Sequence, residues 1–148
     1  MDENTIKWSI DVDGCNFDTA GVASQSTKFK LKQLGLDNEL SRRVAIAMYE
    51  GEINMVIHAN GGVAEVEVFS DKIMVVLKDT GKGIADISLA MQEGYSTATE
   101  DIRDLGFGAG MGLPNMKRYS DNMEIITKVG EGTTVIMTFY MGNQSQQT

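Results

Sequence analysis

The chain has 148 residues, 42% hydrophobic and 23% charged, with a net charge of −8. That length suits one domain with one sizeable core, and that composition excludes a disordered tract. The acidic balance argues against nonspecific nucleic-acid binding, which needs Lys and Arg to displace counterions, and against docking on an anionic membrane surface.

From the N-terminus, "TIKWSIDV" alternates Ile6, Trp8 and Ile10 with Lys7, Ser9 and Asp11, the period of a strand. Residues 18–35 carry Val22, Phe29, Leu31 and Leu34 with Lys and Gln between them, which predicts a helix stopped by Gly35. Asp37 is an N-cap for a second helix from about Asn38, running through "ELSRRVAIAMYEGEINMVIHA" to Asn60-Gly61-Gly62. "VAEVEVF" and "KIMVVLKD" predict two strands joined by a tight Ser70-Asp71 turn. "DISLAMQEGY" is short and helix-like, and residues 95–109 lack a period and read as a mobile loop. "GLPNMKRYSD" predicts a helix with Pro114 in its first turn. "NMEIITKV" and "TTVIMTFY" follow as strands, turned through Gly130-Glu131-Gly132. The order βααββ, loop, αββ predicts a two-layer α+β sandwich, a mixed sheet covered on one face by helices. Residues 1–141 read as one domain and 142–148 as a disordered polar tail.

The single cysteine, Cys15, allows no intrachain disulfide and fits a reducing, cytoplasmic setting. The first residues are charged, with no signal peptide, and no stretch reaches the roughly 18 apolar residues of a membrane span. One histidine and one cysteine argue against zinc.

Four stretches carry candidate chemistry. Glu50, Asn54 and His58 are spaced i, i+4, i+8 and share one helical face. The Asn54 amide oxygen is a hard ligand of the kind that suits Mg²⁺, and Glu50, one turn away, can accept a proton from a nucleophile. The plainer reading is a solvated stripe, with His58 a capping or packing residue. In "LKDTGKGI", Asp79 ends an apolar strand and Gly81 and Gly83 follow, so the carboxylate can accept from an exocyclic amine while the glycines admit a flat ring. The plainer reading is an ordinary Asp-Thr-Gly turn. In "GFGAGMGL", Gly106, Gly108, Gly110 and Gly112 lead into a helix N-terminus, an anion cradle unlike a P-loop or a dinucleotide-binding turn. A flexible linker needs fewer glycines. In "GEGTTVIMTF", Thr133 begins a strand and can aim a hydroxyl at a ligand.

In this order the stretches "EGEIN", "DTGKG", "GFGAGMGL" and "GTT" resemble the four boxes of the GHKL (Bergerat) ATP-binding fold of histidine kinases, Hsp90-type chaperones, gyrase-type ATPases and MutL proteins. The resemblance covers roughly residues 40 to 140 and is nearest to the small bacterial serine/threonine kinases of that fold, the anti-sigma-factor kinases and especially the stressosome switch kinase. "EGYST" and "GLPNMKRYSD" carry that nearer likeness. It implies ATP and Mg²⁺ as cofactors, Asn54 on the metal, Glu50 as base, and Asp79 on the adenine amine with Gly81 and Gly83 in its box. It implies Thr133 assisting through water and Gly106, Gly108, Gly110 and Gly112 around the phosphates, as hinge and cradle of an ATP lid. Residues 97–105 are longer than the lid segment expected in the switch kinase. Arg103 within them could reach a γ-phosphate, and Lys82 reads as solvated.

The implied activity is transfer of the γ-phosphoryl of ATP to a small anti-sigma-factor antagonist (STAS) domain. The alternative is an ATP-gated module that binds a sigma factor or similar regulator. A third reading is a plain ATPase or a histidine-kinase catalytic fragment; with no phosphoacceptor-helix domain expected before the fold and His58 within the expected ATP-site helix, autophosphorylation on histidine is not expected. The related kinases suggest a homodimer. The ten methionines could line a partner surface but read more simply as core.

Overall fold

The computed structural model describes residues 5–14, 17–59, 61–92 and 112–141. The strands are β1 (Ile6–Asp13), β2 (Gly61–Val68), β3 (Lys72–Lys78), β4 (Asn122–Lys128) and β5 (Gly132–Tyr140). The helices are α1 (Val22–Gln33), α2 (Asn38–His58), α3 (Ile87–Ala90) and α4 (Gly112–Tyr119), with a short 3₁₀ turn at Phe17–Thr19. The expected loop, the glycines 106, 108 and 110, Arg103, Cys15 and the polar tail lie outside the described residues. The helix expected from "DISLAMQEGY" is present as one turn, α3, capped by the Asp86 carboxylate on the Leu89 amide at 3.1 Å.

The helices end where local chemistry stops them. Asp37 caps α2, its Oδ2 accepting from the Leu40 N–H at 3.0 Å. At the end of α1, Gly35 takes φ +82°. The Leu36 N–H then bonds the Leu31 carbonyl at 3.1 Å and the Gly35 N–H bonds that of Lys32 at 3.0 Å. This paired C-terminal lock needs a residue tolerant of the left-handed region.

The five strands run in the order β1-β2-β3-β5-β4. Every described pairing is antiparallel, which corrects the expected mixed sheet. The reason is connectivity. β1 to β2 crosses through two helices yet brings β2 back in the opposite sense, and β4, which runs in the same sense as β3, is separated from it by β5, antiparallel to both. The expected α+β layering holds.

One sheet face is apolar and meets the helices. Its cross-strand rows are Trp8-Val66-Val75-Met137-Met123 and Ile10-Ala64-Leu77-Val135-Ile125. Against them pack Leu31 of α1, Val44, Met48 and Val56 of α2, and Met116 of α4, all buried. Met48, Met55, Met116 and Met137 are therefore core, as their simpler reading held. The opposite face carries Lys7, Glu65, Glu67, Glu124 and Lys128.

Because β5 enters between β3 and β4, the end of β3 lies beside the start of β5. Asp79, just past β3, donates its N–H to the Thr133 carbonyl at 2.9 Å. That pairing sets the floor of the candidate site.

Candidate nucleotide site

Glu50, Asn54 and His58 occupy the last turns of α2 and are all half-buried. This is not a freely solvated stripe, because α4 lies across it. A Cβ built on Gly112 would stand 2.7 Å from Asn54 Nδ2 and 2.8 Å from Oδ1. Any larger residue there would have to push the Asn54 amide aside, so the last glycine of the stretch leaves room for that amide where it stands. One turn later along α4, Asn115 Nδ2 donates to Glu50 Oε2 at 3.2 Å. Burial pushes the Glu50 carboxyl above its ordinary value, and the Asn115 hydrogen bond partly opposes that rise.

His58 closes α2. Burial holds its pKa below the usual imidazole value, and the positive charge of Lys82 lowers it further. His58 is thus a neutral wall residue, in keeping with a packing role. Lys82 itself is exposed.

Asp79 spends one oxygen on the chain. Its Oδ1 accepts from the Gly81 N–H at 2.9 Å and from the Thr133 N–H at 3.2 Å. Among the described residues nothing donates to Oδ2. Gly83 and Gly132 have φ +78° and +120°. A side chain on Gly83 would strike the Lys128 carbonyl, and one on Gly132 that of Asp79. These glycines draw backbone onto backbone, holding the turn after β3 against the β4–β5 hairpin.

The Thr133 hydroxyl is 2.9 Å from the Thr127 hydroxyl, its register partner on β4. Thr127 Oγ1 also accepts from the Ile84 N–H at 2.8 Å. Thr127 is thus the staple between the Asp79 turn and the hairpin, and its sequence setting, one Thr in an alternating strand, gave no signal of it.

Two further residues escaped the sequence reading. Glu52 is 2% exposed, and its oxygens accept from the N–H groups of Gly21 at 2.8 Å, Ala23 at 3.0 Å and Ser24 at 3.2 Å. Gly21 offers no side-chain cap, so a carboxylate from α2 caps α1. The available signal was its place between Met48 and Val56, four residues from each, on the buried stripe. The other is Asn115.

The last turns of α2 carry a raised carboxylate and an amide with a hard oxygen, and the glycine-shaped turn that bears the Asp79 carboxylate meets the end of α2, a Cβ on Gly81 standing 2.7 Å from that of Ala59. Among the described residues no cluster of His, Cys, Asp or Glu could cage a metal alone. Asn54 as a lone protein ligand suits Mg²⁺, which keeps waters and takes its other oxygens from phosphates. The donor set therefore fits Mg²⁺ bound together with a nucleotide. No described helix is long and apolar enough to cross a membrane.

The chain matches the family described as the histidine kinase-like ATPase domain over residues 18–139. An anti-sigma F factor of Caldanaerobacter subterraneus subsp. tengcongensis is 36% identical over 104 residues, covering 67% of this chain and 69% of that protein. The serine/threonine-protein kinase RsbT of Bacillus subtilis is 31% identical over 118 residues, covering 77% of this chain and 83% of that one. Among solved structures, the RsbU and RsbW domains of a Mycobacterium tuberculosis protein share the fold, with a TM-score of 0.64, 15% identity and 92% of this chain covered. This chain spans 32% of that one. The chain belongs to the histidine kinase-like ATPase family and, by its likeness to the anti-sigma F factors and RsbT, is an ATP-binding serine/threonine kinase of the anti-sigma-factor type.

Proposed function

We propose that the protein transfers the γ-phosphoryl of Mg-ATP to a hydroxyl of a small STAS-type regulatory partner in the cytoplasm, acting as a homodimer. The observation that carries this reading is the Glu50 carboxylate, half-buried with a raised pKa, one helical turn from Asn54. A carboxylate raised above its ordinary value is a better proton acceptor once ionised. Asp79 Oδ2 receives the adenine amine, with Gly81 and Gly83 shaping the turn against the ring and Thr133 assisting through water. Asn54 offers Oδ1 to Mg²⁺, which when bound offsets the phosphate charge. Gly112, with Gly106, Gly108 and Gly110 before it, wraps the phosphates. Glu50 takes the proton of the partner's hydroxyl. As that oxygen bonds the γ-phosphorus, the bond to the β,γ-bridging oxygen breaks and ADP leaves.

The test pairs Glu50→Gln with a STAS-domain protein from the same genome and labelled ATP. ATP affinity should stay within about twofold while transfer falls by about a hundredfold or more, the usual worth of a general base. Undiminished transfer would remove Glu50 from the role. The name anti-sigma F factor borne by several relatives favours a second reading, in which ATP gates the holding of a sigma factor. Capture of a sigma factor by Glu50→Gln in the presence of ATP, with no transfer by the wild type, would support it.

A further inference from the structure

Asn115 stands between two groups of fixed hydrogen-bond character. Arg118, one turn along α4, donates from Nη1 to Asn115 Oδ1 at 2.9 Å. Asn115 Nδ2 in turn donates to Glu50 Oε2 at 3.2 Å. A guanidinium has donors only and an ionised carboxylate acceptors only, so the amide can bridge them in one orientation alone. Arg118 thereby fixes which end of Asn115 faces Glu50. Among the described residues nothing else donates to Glu50, and its Oε1 accepts no hydrogen bond.

We propose that Asn115 is a positioning residue for the Glu50 carboxylate, holding Oε2 so that Oε1 faces the reacting hydroxyl, with Arg118 setting the direction of the amide. This rests on the reading of Glu50 as the base. The donated hydrogen bond also favours the ionised form, against the burial that disfavours it. Among the described residues no charged side chain acts directly on Glu50. From α4, Arg118 reaches it through Asn115. On α2, Glu52 is turned to the amides of α1 and His58 lies two turns on, while β3 brings Leu77 against Gly51. The lysines of α1, Lys28, Lys30 and Lys32, do not enter its balance. A mere packing contact between α2 and α4 would call for no such polarity.

The test is a carbon-detected titration of the Glu50 side-chain carboxyl in glutamate-labelled protein, assigned with Glu50→Gln. Asn115→Leu should move the Glu50 pKa further upward, and Arg118→Met should move it the same way by less. ATP affinity should change less than twofold in both. With a phosphorylatable partner, the acid limb of kcat should shift upward by the same amount at unchanged KM for ATP. A Glu50 titration unaltered in Asn115→Leu overturns the proposal. Should that variant fail to fold, the exposed-site variant Arg118→Met is decisive in the same way. The titration needs no phosphotransfer, so failure of Glu50 as base, read with Glu50→Gln, stays distinct from failure of Asn115.

Discussion

Asp79 divides its oxygens between the fold and the open side of the site. Oδ1 holds the turn by accepting from Gly81 and Thr133, and among the described residues nothing donates to Oδ2, which the proposed function gives to the adenine amine. Asp79→Asn can keep the first acceptor and replaces the second with a donor. The expected outcome is a folded protein whose ATP affinity is weaker by about ten- to a hundredfold, the worth of one charged hydrogen bond. Calorimetry with the variant checks this, and unaltered affinity would count against the adenine assignment. Asp79, Asn54 and Glu50 were legible in the sequence because each is a polar residue where periodicity predicts an element's end or a single face. Thr127 and Asn115 were not, because their partners lie 43 and 65 residues away and no local pattern announces such contacts.

At the scale of elements, α1 depends on α2 for its start. Three amides at its first turn converge on the Glu52 carboxylate. Glu52→Ala leaves those donors buried without an acceptor and should cost about 2–4 kcal/mol, by the worth of a helix cap and of charged hydrogen bonds. Glu52→Gln keeps an acceptor and should cost less, about 1 kcal/mol. Urea midpoints of the two variants test the ranking, and a Glu52→Ala protein as stable as the wild type would refute the capping role. Helix and strand positions were legible from periodicity and from Asp37, Gly35 and Gly130. The antiparallel course of every described pair was not, because sequence order does not say which edge a returning strand joins. The glycine run was legible as a stretch leading into a helix, and of its glycines the described one, Gly112, lies against the Asn54 side chain.

Over the whole molecule, two half-buried titratable groups on one helix pull stability in opposite directions with pH. His58 has a folded pKa below its ordinary value of 6.5, so the unfolded chain binds the proton more readily. Its contribution is present above about pH 6.5 and is lost as pH falls toward the folded value. Glu50 is the reverse case, raised above its ordinary value of 4.5. Its contribution is present below that value and is lost as pH rises through the folded pKa. At neutral pH, therefore, His58 favours the fold and Glu50 opposes it. Glu50→Gln should raise the melting temperature at pH 7, and His58→Gln should flatten the fall in stability below pH 6.5. Melting curves from pH 5 to 8 check both signs, and a Glu50→Gln protein less stable than the wild type at pH 7 would contradict the assignment.

The most direct measurement is ATP binding by calorimetry, with and without Mg²⁺, on the wild type and on Asn54→Ala. The fold brings Asn54 to Gly112 at the head of α4, so the account predicts Mg²⁺-dependent binding that Asn54→Ala weakens by about tenfold or more, the worth of one lost charge-assisted contact. Binding indifferent to both Mg²⁺ and Asn54 would contradict the assignment of this wall as a Mg-ATP site.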